Sequence, residues 1–237
     1  HIFKSYDIRA IYPTEINEES IIPIVKAVYK ELHKGIPDNE SMTLVVGTDM
    51  RTSSPSLTKI AIQTLVELGA HVIDIGMVST PTFYFAVNHY GYEAGMQITA
   101  SHNPKEWNGI KMVKKGTTWL IKIGKTTGME DIKKMALAGD SLPPMEGGTV
   151  EKKNGILEDE VRNSLKIVGN PIFNKFKIVA DPGNAMGSQY IDALFKEVFF
   201  PPPRLNTAAS GDAPSWCSCY NCQGCNSQNL LHRTVSD

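Results

Sequence analysis

Apolar positions recur at helical spacing in some stretches of this chain and gather in short continuous runs in others, and the switches between them predict most of its elements. Ile21, Val25, Val28 and Leu32 recur at helical spacing, after Ser20 as a cap and before Gly35 as a stop, so a helix is expected over residues 21–34 with Pro23 in its first turn. Thr43 to Val46 is a compact β-branched run and reads as a strand. Ser54 and Pro55 form a cap-plus-proline start for a helix whose inward face carries Ile60, Ala61, Thr64, Leu65 and Leu68 and which Gly69 ends. His71–Ile75 is the next strand, Thr80 and Pro81 open a short helix closed by Gly91, and Ala94–Ile98 is a largely apolar, strand-like run. The runs 109–113 and 119–123 suit an antiparallel hairpin, and Thr127–Glu130 has the spacing of a capping box for a helix to about Ala138. The opening residues 2–10 read as a short strand running into a polar loop.

Strands and helices in alternation with short connections imply an α/β fold, a layered αβα domain with a mixed, largely parallel sheet. This first domain is expected over residues 1–145, with residues 139–148 as linker. Residues 146–200 then hold the linker's end, a helix near 156–168 and the start of a second similar domain, with a strand at 176–180, the turn Asp181-Pro182-Gly183-Asn184 and a helix over 188–198. So short a second domain leaves its core open, with Phe195, Val198, Phe199 and Phe200 as the candidates for exposure. Residues 201–237 form an irregular tail without lysine or glutamate, expected to be disordered.

Composition narrows the function. A formal net charge of -1 gives no basic field for nucleic acid, and the apolar runs are too short to span a bilayer. Small-molecule partners remain, and the sequence assigns no oligomeric state. The chain starts at His1 without an initiator Met or signal pattern and is expected to be processed or a fragment. The main body has no cysteine before Cys217, which favours a reducing, cytoplasmic setting. Cys217, Cys219, Cys222 and Cys225 suit Zn2+ or an iron–sulfur cluster by spacing. No knuckle surrounds them, so a non-homologous terminus is the favoured expectation.

The candidate chemistry lies in Thr99-Ala100-Ser101-His102-Asn103-Pro104, a loop at the end of an apolar strand, where ligands of parallel sheets collect. Ser101 is either a turn residue bonding its own backbone or a nucleophile that needs activation, and its neighbour His102 alone is weak support for a dyad. No G-x-S-x-G elbow surrounds it. Asn108 and Gly109 suit a tight turn, and Arg9, Arg51 and Lys111 are candidate cations for a phosphate.

This loop, followed by Asn108-Gly109-Ile110-Lys111, resembles the active-site loop of the α-D-phosphohexomutases, nearest the phosphomannomutase/phosphoglucomutase subgroup. Phe3-Lys4-Ser5-Tyr6-Asp7-Ile8-Arg9 resembles that family's N-terminal motif. Gly47-Thr48-Asp49-Met50-Arg51 with Ser53-Ser54-Pro55, Asp74-Ile75-Gly76 with Thr80-Pro81, and Asp181-Pro182-Gly183-Asn184 resemble further ones, in order over residues 2–198. Ala10 stands where the family usually has glycine, which is expected to tighten the loop after Arg9.

The resemblance implies an isomerase of carbohydrate metabolism, a phosphoprotein that interconverts hexose 1-phosphate and hexose 6-phosphate through phosphorylated Ser101 and a hexose 1,6-bisphosphate, which also serves as activator. By the same resemblance His102 and Lys111 assist proton transfer and charge stabilisation, Arg9, Tyr6 and Lys111 position substrate, and Mg2+ binds the phosphate on Ser101. The family's aspartate-rich metal loop and its later sugar- and phosphate-binding motifs have no counterpart here, so impaired turnover is expected. A non-catalytic phosphosugar-binding module and, more weakly, a serine hydrolase are the other readings.

Overall fold

In a computed structural model, residues 1–37, 39–139, 142–172, 179–180, 182, 185–198 and 233–234 are described. They fall in two units, His1–Asn154 and Gly155–Asp237.

The first unit is built on β1 (Ile8–Ile11), α1 (Ile21–Leu32), β2 (Thr43–Thr48), α2 (Ser54–Glu67), β3 (His71–Met77), α3 (Thr80–His89), β4 (Ala94–Ile98), β5 (Trp107–Lys115), β6 (Leu120–Lys122), α4 (Met129–Ala138) and β7 (Thr149–Lys152). These strands form one sheet in the order β1-β5-β4-β2-β3-β7, with β6 added alongside β5. The core pairings β2–β4, β2–β3 and β3–β7 are parallel, while β5 is antiparallel to β1, β4 and β6. The mixed αβα layering expected from the sequence is therefore present. β4 is buried along its whole length because the sheet is covered on both faces. Ile98, Met96, Leu44, Val46, Ile110 and Met112 join Ile21, Val25 and Val28 of α1 and Leu57, Ala61 and Leu65 of α2 in the main core.

Several local expectations are corrected. Residues 5–7 are a bend, Phe3 makes only an isolated bridge to Ile8, and the strand begins at Ile8, the reverse of a strand entering a loop. Pairing with β5 decides this, with Ile8 opposite Ile110 and Arg9 opposite Gly109. Ala10 accordingly sits in a strand with its side chain buried, not in a loop. Asn108 and Gly109 are likewise mid-strand in β5 and not a turn. Glycine is required at 109 by proximity: a Cβ there would collide with the carbonyl oxygen of Ile8. β7 lies just past the residues read as linker, in a stretch where no strand is expected. It is short and exposed throughout, so it carries no apolar period, and parallel pairing to β3 holds it. The expected serine and threonine caps are displaced. Ser79, not Thr80, caps α3 by accepting from the Thr82 amide (3.3 Å). Ser20 instead accepts from the Asn17 amide (2.9 Å), and Thr127 accepts from the Gly124 amide (2.7 Å), so the capping box at 127–130 does not form.

The second unit contains α5 (Ile156–Ile167), β8 (Val179–Ala180), α6 (Gly187–Val198) and β9 (Arg233–Thr234), with β8 antiparallel to β9. Arg162 of α5 donates to Glu197 of α6 (2.9 Å), and the Tyr190 hydroxyl donates to Glu160. Phe195, expected to be exposed, is buried on the apolar face of α6, while Ile167, Val168 and Ile172 are largely exposed. Asp181, Gly183, Asn184, Phe199, Phe200 and the four cysteines lie outside the described residues.

Candidate active site

The serine loop, residues 99–106, joins β4 to β5 at the carboxyl end of β4. Ser101 adopts a left-handed backbone conformation (φ 57°), uncommon for a residue other than glycine, and its side chain is exposed. Its amide donates to Thr99 Oγ1 (2.9 Å) and the Asn103 amide donates to the Ala100 carbonyl (3.1 Å). Ser101 Oγ lies 3.4 Å from His102 Nδ1, a long contact at the limit of hydrogen bonding.

A buried arginine shapes the loop. The Arg51 side chain is 1% exposed, and all its N–H groups are engaged. Nε donates to Asp49 Oδ2 (3.1 Å), Nη1 to the carbonyls of Pro104 (2.5 Å) and Trp107 (2.9 Å), and Nη2 to those of Ser101 (3.0 Å) and Asn103 (2.6 Å). A guanidinium has five N–H donors in a fixed plane, and here each meets one acceptor. Arg51 therefore turns the loop carbonyls inward and is not a free phosphate cation, which corrects the expectation for this residue.

Asp49 and the start of α2 complete this buried layer. Asp49 Oδ1 accepts from the Arg51 amide (3.1 Å) and from Ser54 Oγ (2.6 Å). Asn108 Nδ2 donates to Ser53 Oγ (2.8 Å) and Ser54 Oγ (3.0 Å). Both serine hydroxyls are thus bound to the site, which is why neither caps α2.

The other cations gather on a single carboxylate. Asp7 Oδ2 accepts from Arg9 Nε (2.8 Å) and from Lys111 Nζ (2.9 Å). The arrangement follows from register: Ile8 faces Ile110, so one step further sets Asp7 opposite Lys111. The period of two turns Asp7 and Arg9 to one face and leaves Ile8 and Ala10 in the core. Arg9 Nη1 also donates to Asn103 Oδ1 (2.5 Å), tying this group to the serine loop. Asp7 is 6% exposed by side chain, Arg9 18% and Lys111 16%, so solvent reaches the cations more than the anion. The phenol of Tyr84 is pushed above its usual range, first by burial and then by the charge of Asp7.

The sequence-predicted residues thus fall into groups. Ser101 and His102 touch, Arg9 and Lys111 meet on Asp7, and Arg9 reaches the loop through Asn103. Tyr6 is 77% exposed and joins none of these bonds. Asp7, Asp49 and Asn108 carry the site's geometry, although residue type alone assigns them no role. The spacing Asp-x-Arg, present at 7–9 and 49–51, is the signal in the sequence that points to the two aspartates.

The model for the α/β/α domain I of phosphoglucomutase/phosphomannomutase matches residues 1–133. The chain belongs to the phosphoglucomutase/phosphomannomutase family. It is 34% identical over 193 residues to a phosphomannomutase of Salmonella montevideo, covering 81% of this chain and 40% of that protein. It is 30% identical over 213 residues to a protein of Xanthomonas campestris named for phosphohexose mutases, covering 90% of this chain and 45% of the relative. A solved family structure from Burkholderia thailandensis superposes with a TM-score of 0.66 at 29% identity, over 83% of this chain and 42% of that one. The chain thus spans about two fifths of the length of these relatives. Among the described residues no helix is long and apolar enough to cross a membrane.

The described residues do not fit a Mg2+ site by themselves. They contain no group of three His, Cys, Asp or Glu side chains able to hold a metal. The carboxylates bound into the site, Asp7 and Asp49, are committed to arginine and lysine, whereas Mg2+ is held by carboxylate and phosphate oxygens. His102 has no carboxylate partner among the described residues, so the Ser101–His102 contact lacks the third group of a hydrolase triad.

Proposed function

We propose that this chain carries the phosphoserine portion of a phosphohexomutase that interconverts hexose 1-phosphate and hexose 6-phosphate. Ser101 Oγ attacks one phosphorus of a hexose 1,6-bisphosphate. An Oγ–P bond forms and the P–O bond to the sugar breaks. The hydroxyl proton of Ser101 passes by way of His102 to the departing sugar oxygen. In the reverse sense, phosphorylated Ser101 returns the group to the other sugar hydroxyl. Negative charge spreads over the transferring phosphoryl oxygens, and phosphoryl transfer depends mainly on positioning and neutralising that charge. Lys111 and Arg9 supply the neutralisation, and Tyr6, at the rim, contacts the sugar.

The observation that carries this reading is the Arg9–Asn103 bond, because it ties the Arg9–Asp7–Lys111 group to the loop that bears Ser101. The exposure of the serine, its left-handed backbone and the family match over residues 1–133 support it. Mg2+ enters as a partner of phosphorylated Ser101 only with ligands beyond the residues described, and no step here depends on it.

The test is phosphopeptide mapping of the full chain after incubation with labelled glucose 1,6-bisphosphate and Mg2+. Label on Ser101, absent from Ser101→Ala, is expected. Label elsewhere with Ser101 unmodified would sink the proposal.

A further inference from the structure

We infer that Asp7 is a positioning residue for the phosphoryl-binding cations, fixing the aim of Arg9 and Lys111 while leaving the group one unneutralised positive charge. This deepens the reading of the chain as a phosphohexomutase and rests on it for the transfer step.

The two cations share one acceptor atom. Arg9 Nε and Lys111 Nζ both donate to Oδ2 of Asp7, at 2.8 and 2.9 Å. Two like charges drawn to one oxygen repel each other. The intervening carboxylate, more buried than either, is what holds them together. Its depth also fixes geometry. Asp7 immediately precedes β1, its carbonyl accepts from the Lys4 amide (2.9 Å), and the next residue, Ile8, is fully buried. The backbone that carries the carboxylate is therefore anchored, which limits how far it can follow the cations if they swing outward.

One anion against two cations leaves a single positive charge directed at the loop through the Arg9–Asn103 bond. An arriving phosphate meets cations already oriented and only partly neutralised. Without Asp7 the charge on offer would be larger but the two side chains would splay. Asp7 thus trades strength of phosphate attraction for accuracy of aim, and accuracy is what the transition state rewards.

The experiment compares the full chain with Asp7→Asn and Asp7→Glu. Titration with inorganic phosphate, followed through the amide NMR signals of the serine loop at two ionic strengths, reads binding. The rate of Ser101 labelling from glucose 1,6-bisphosphate reads transfer. Asp7→Asn is expected to bind phosphate at least as tightly as the parent, with a steeper loss of affinity on adding salt, and to be labelled roughly ten-fold more slowly or worse. Asp7→Glu keeps the charge and is expected to restore the parent salt dependence. Unchanged labelling and unchanged salt dependence in Asp7→Asn overturn the inference. So does loss of phosphate binding together with loss of the native spectrum in both variants, which would make Asp7 merely structural. Should the parent chain take no label on Ser101 while the phosphate arms behave as expected, the functional reading fails and the placement of Asp7 stands. Normal labelling of the parent with an indifferent Asp7→Asn overturns the placement of Asp7 and leaves the functional reading intact.

Discussion

The chain uses the tripeptide Asp-x-Arg twice, at Asp7-Ile8-Arg9 and Asp49-Met50-Arg51, and the two copies are put to opposite uses. In both, the arginine Nε donates to Oδ2 of the aspartate two residues earlier, at 2.8 and 3.1 Å. At the second copy the remaining guanidinium donors all end on carbonyls of the serine loop and of Trp107 just beyond it, and the side chain is 1% exposed. At the first copy the arginine reaches the loop by one side-chain bond, a lysine shares its carboxylate, and the cations stay partly open to solvent. The local motif fixes only the pair; what surrounds it decides between a buried framework and an accessible charged group. A saturated arginine can shape a loop but has nothing left for a ligand.

Replacing Arg51 should break the comparison most severely. Arg51→Ala leaves Asp49 as a buried charge without its guanidinium and strips the loop carbonyls of their donors. Loss of one partner of a buried pair typically costs about 3–5 kcal/mol. A loss of stability of that order by urea melts, with Ser101 labelling abolished, is expected. Arg51→Lys should recover little of it, since an ammonium has three donors in place of a planar five. Stability within about 1 kcal/mol of the parent would remove Arg51 from its framework role.

Lys111→Ala should show the reverse pattern. Its partner Asp7 keeps Arg9, so a stability cost well below that of Arg51→Ala, about 1–2 kcal/mol, is expected. The labelling rate of Ser101 should fall by roughly 100-fold or more, the size usual for removing one group that stabilises transition-state charge. A loss of stability as large as that expected for Arg51→Ala would make the two Asp-x-Arg sites alike.

Much of this was legible in the sequence. Helical spacing predicted the helices, and short apolar or β-branched runs predicted the β2–β5 strands, because these elements are buried and the pattern follows burial. β7 escaped because its strand character comes from main-chain bonds to β3 rather than from apolar side chains. The cap expected at Ser54 does not form because both local hydroxyls serve Asp49 and Asn108. Ser101, His102, Arg9 and Lys111 could be named as candidates by residue type and resemblance. That Arg51 is spent on carbonyls, and that Asp7 joins Arg9 to Lys111 from the far end of the domain's sequence, depend on strand register and burial, which no local pattern carries.

The smallest expected effect is spectroscopic and tests whether the first copy is a live electrostatic group. Tyr84 is half-buried, and its phenol is raised above the usual value of 10 by burial first and by Asp7 second. A negative neighbour disfavours the phenolate, so removing it favours ionisation. Asp7→Asn should therefore lower the Tyr84 pKa while leaving it above the ordinary phenol value, because the burial contribution remains. Absorbance titration of Asp7→Asn against the same chain carrying Tyr84→Phe isolates that one phenol. A Tyr84 titration indifferent to Asp7 would mean that the carboxylate is already fully balanced by Arg9 and Lys111. It would then cast no field beyond them, and the accessible copy would differ from the buried one in exposure alone.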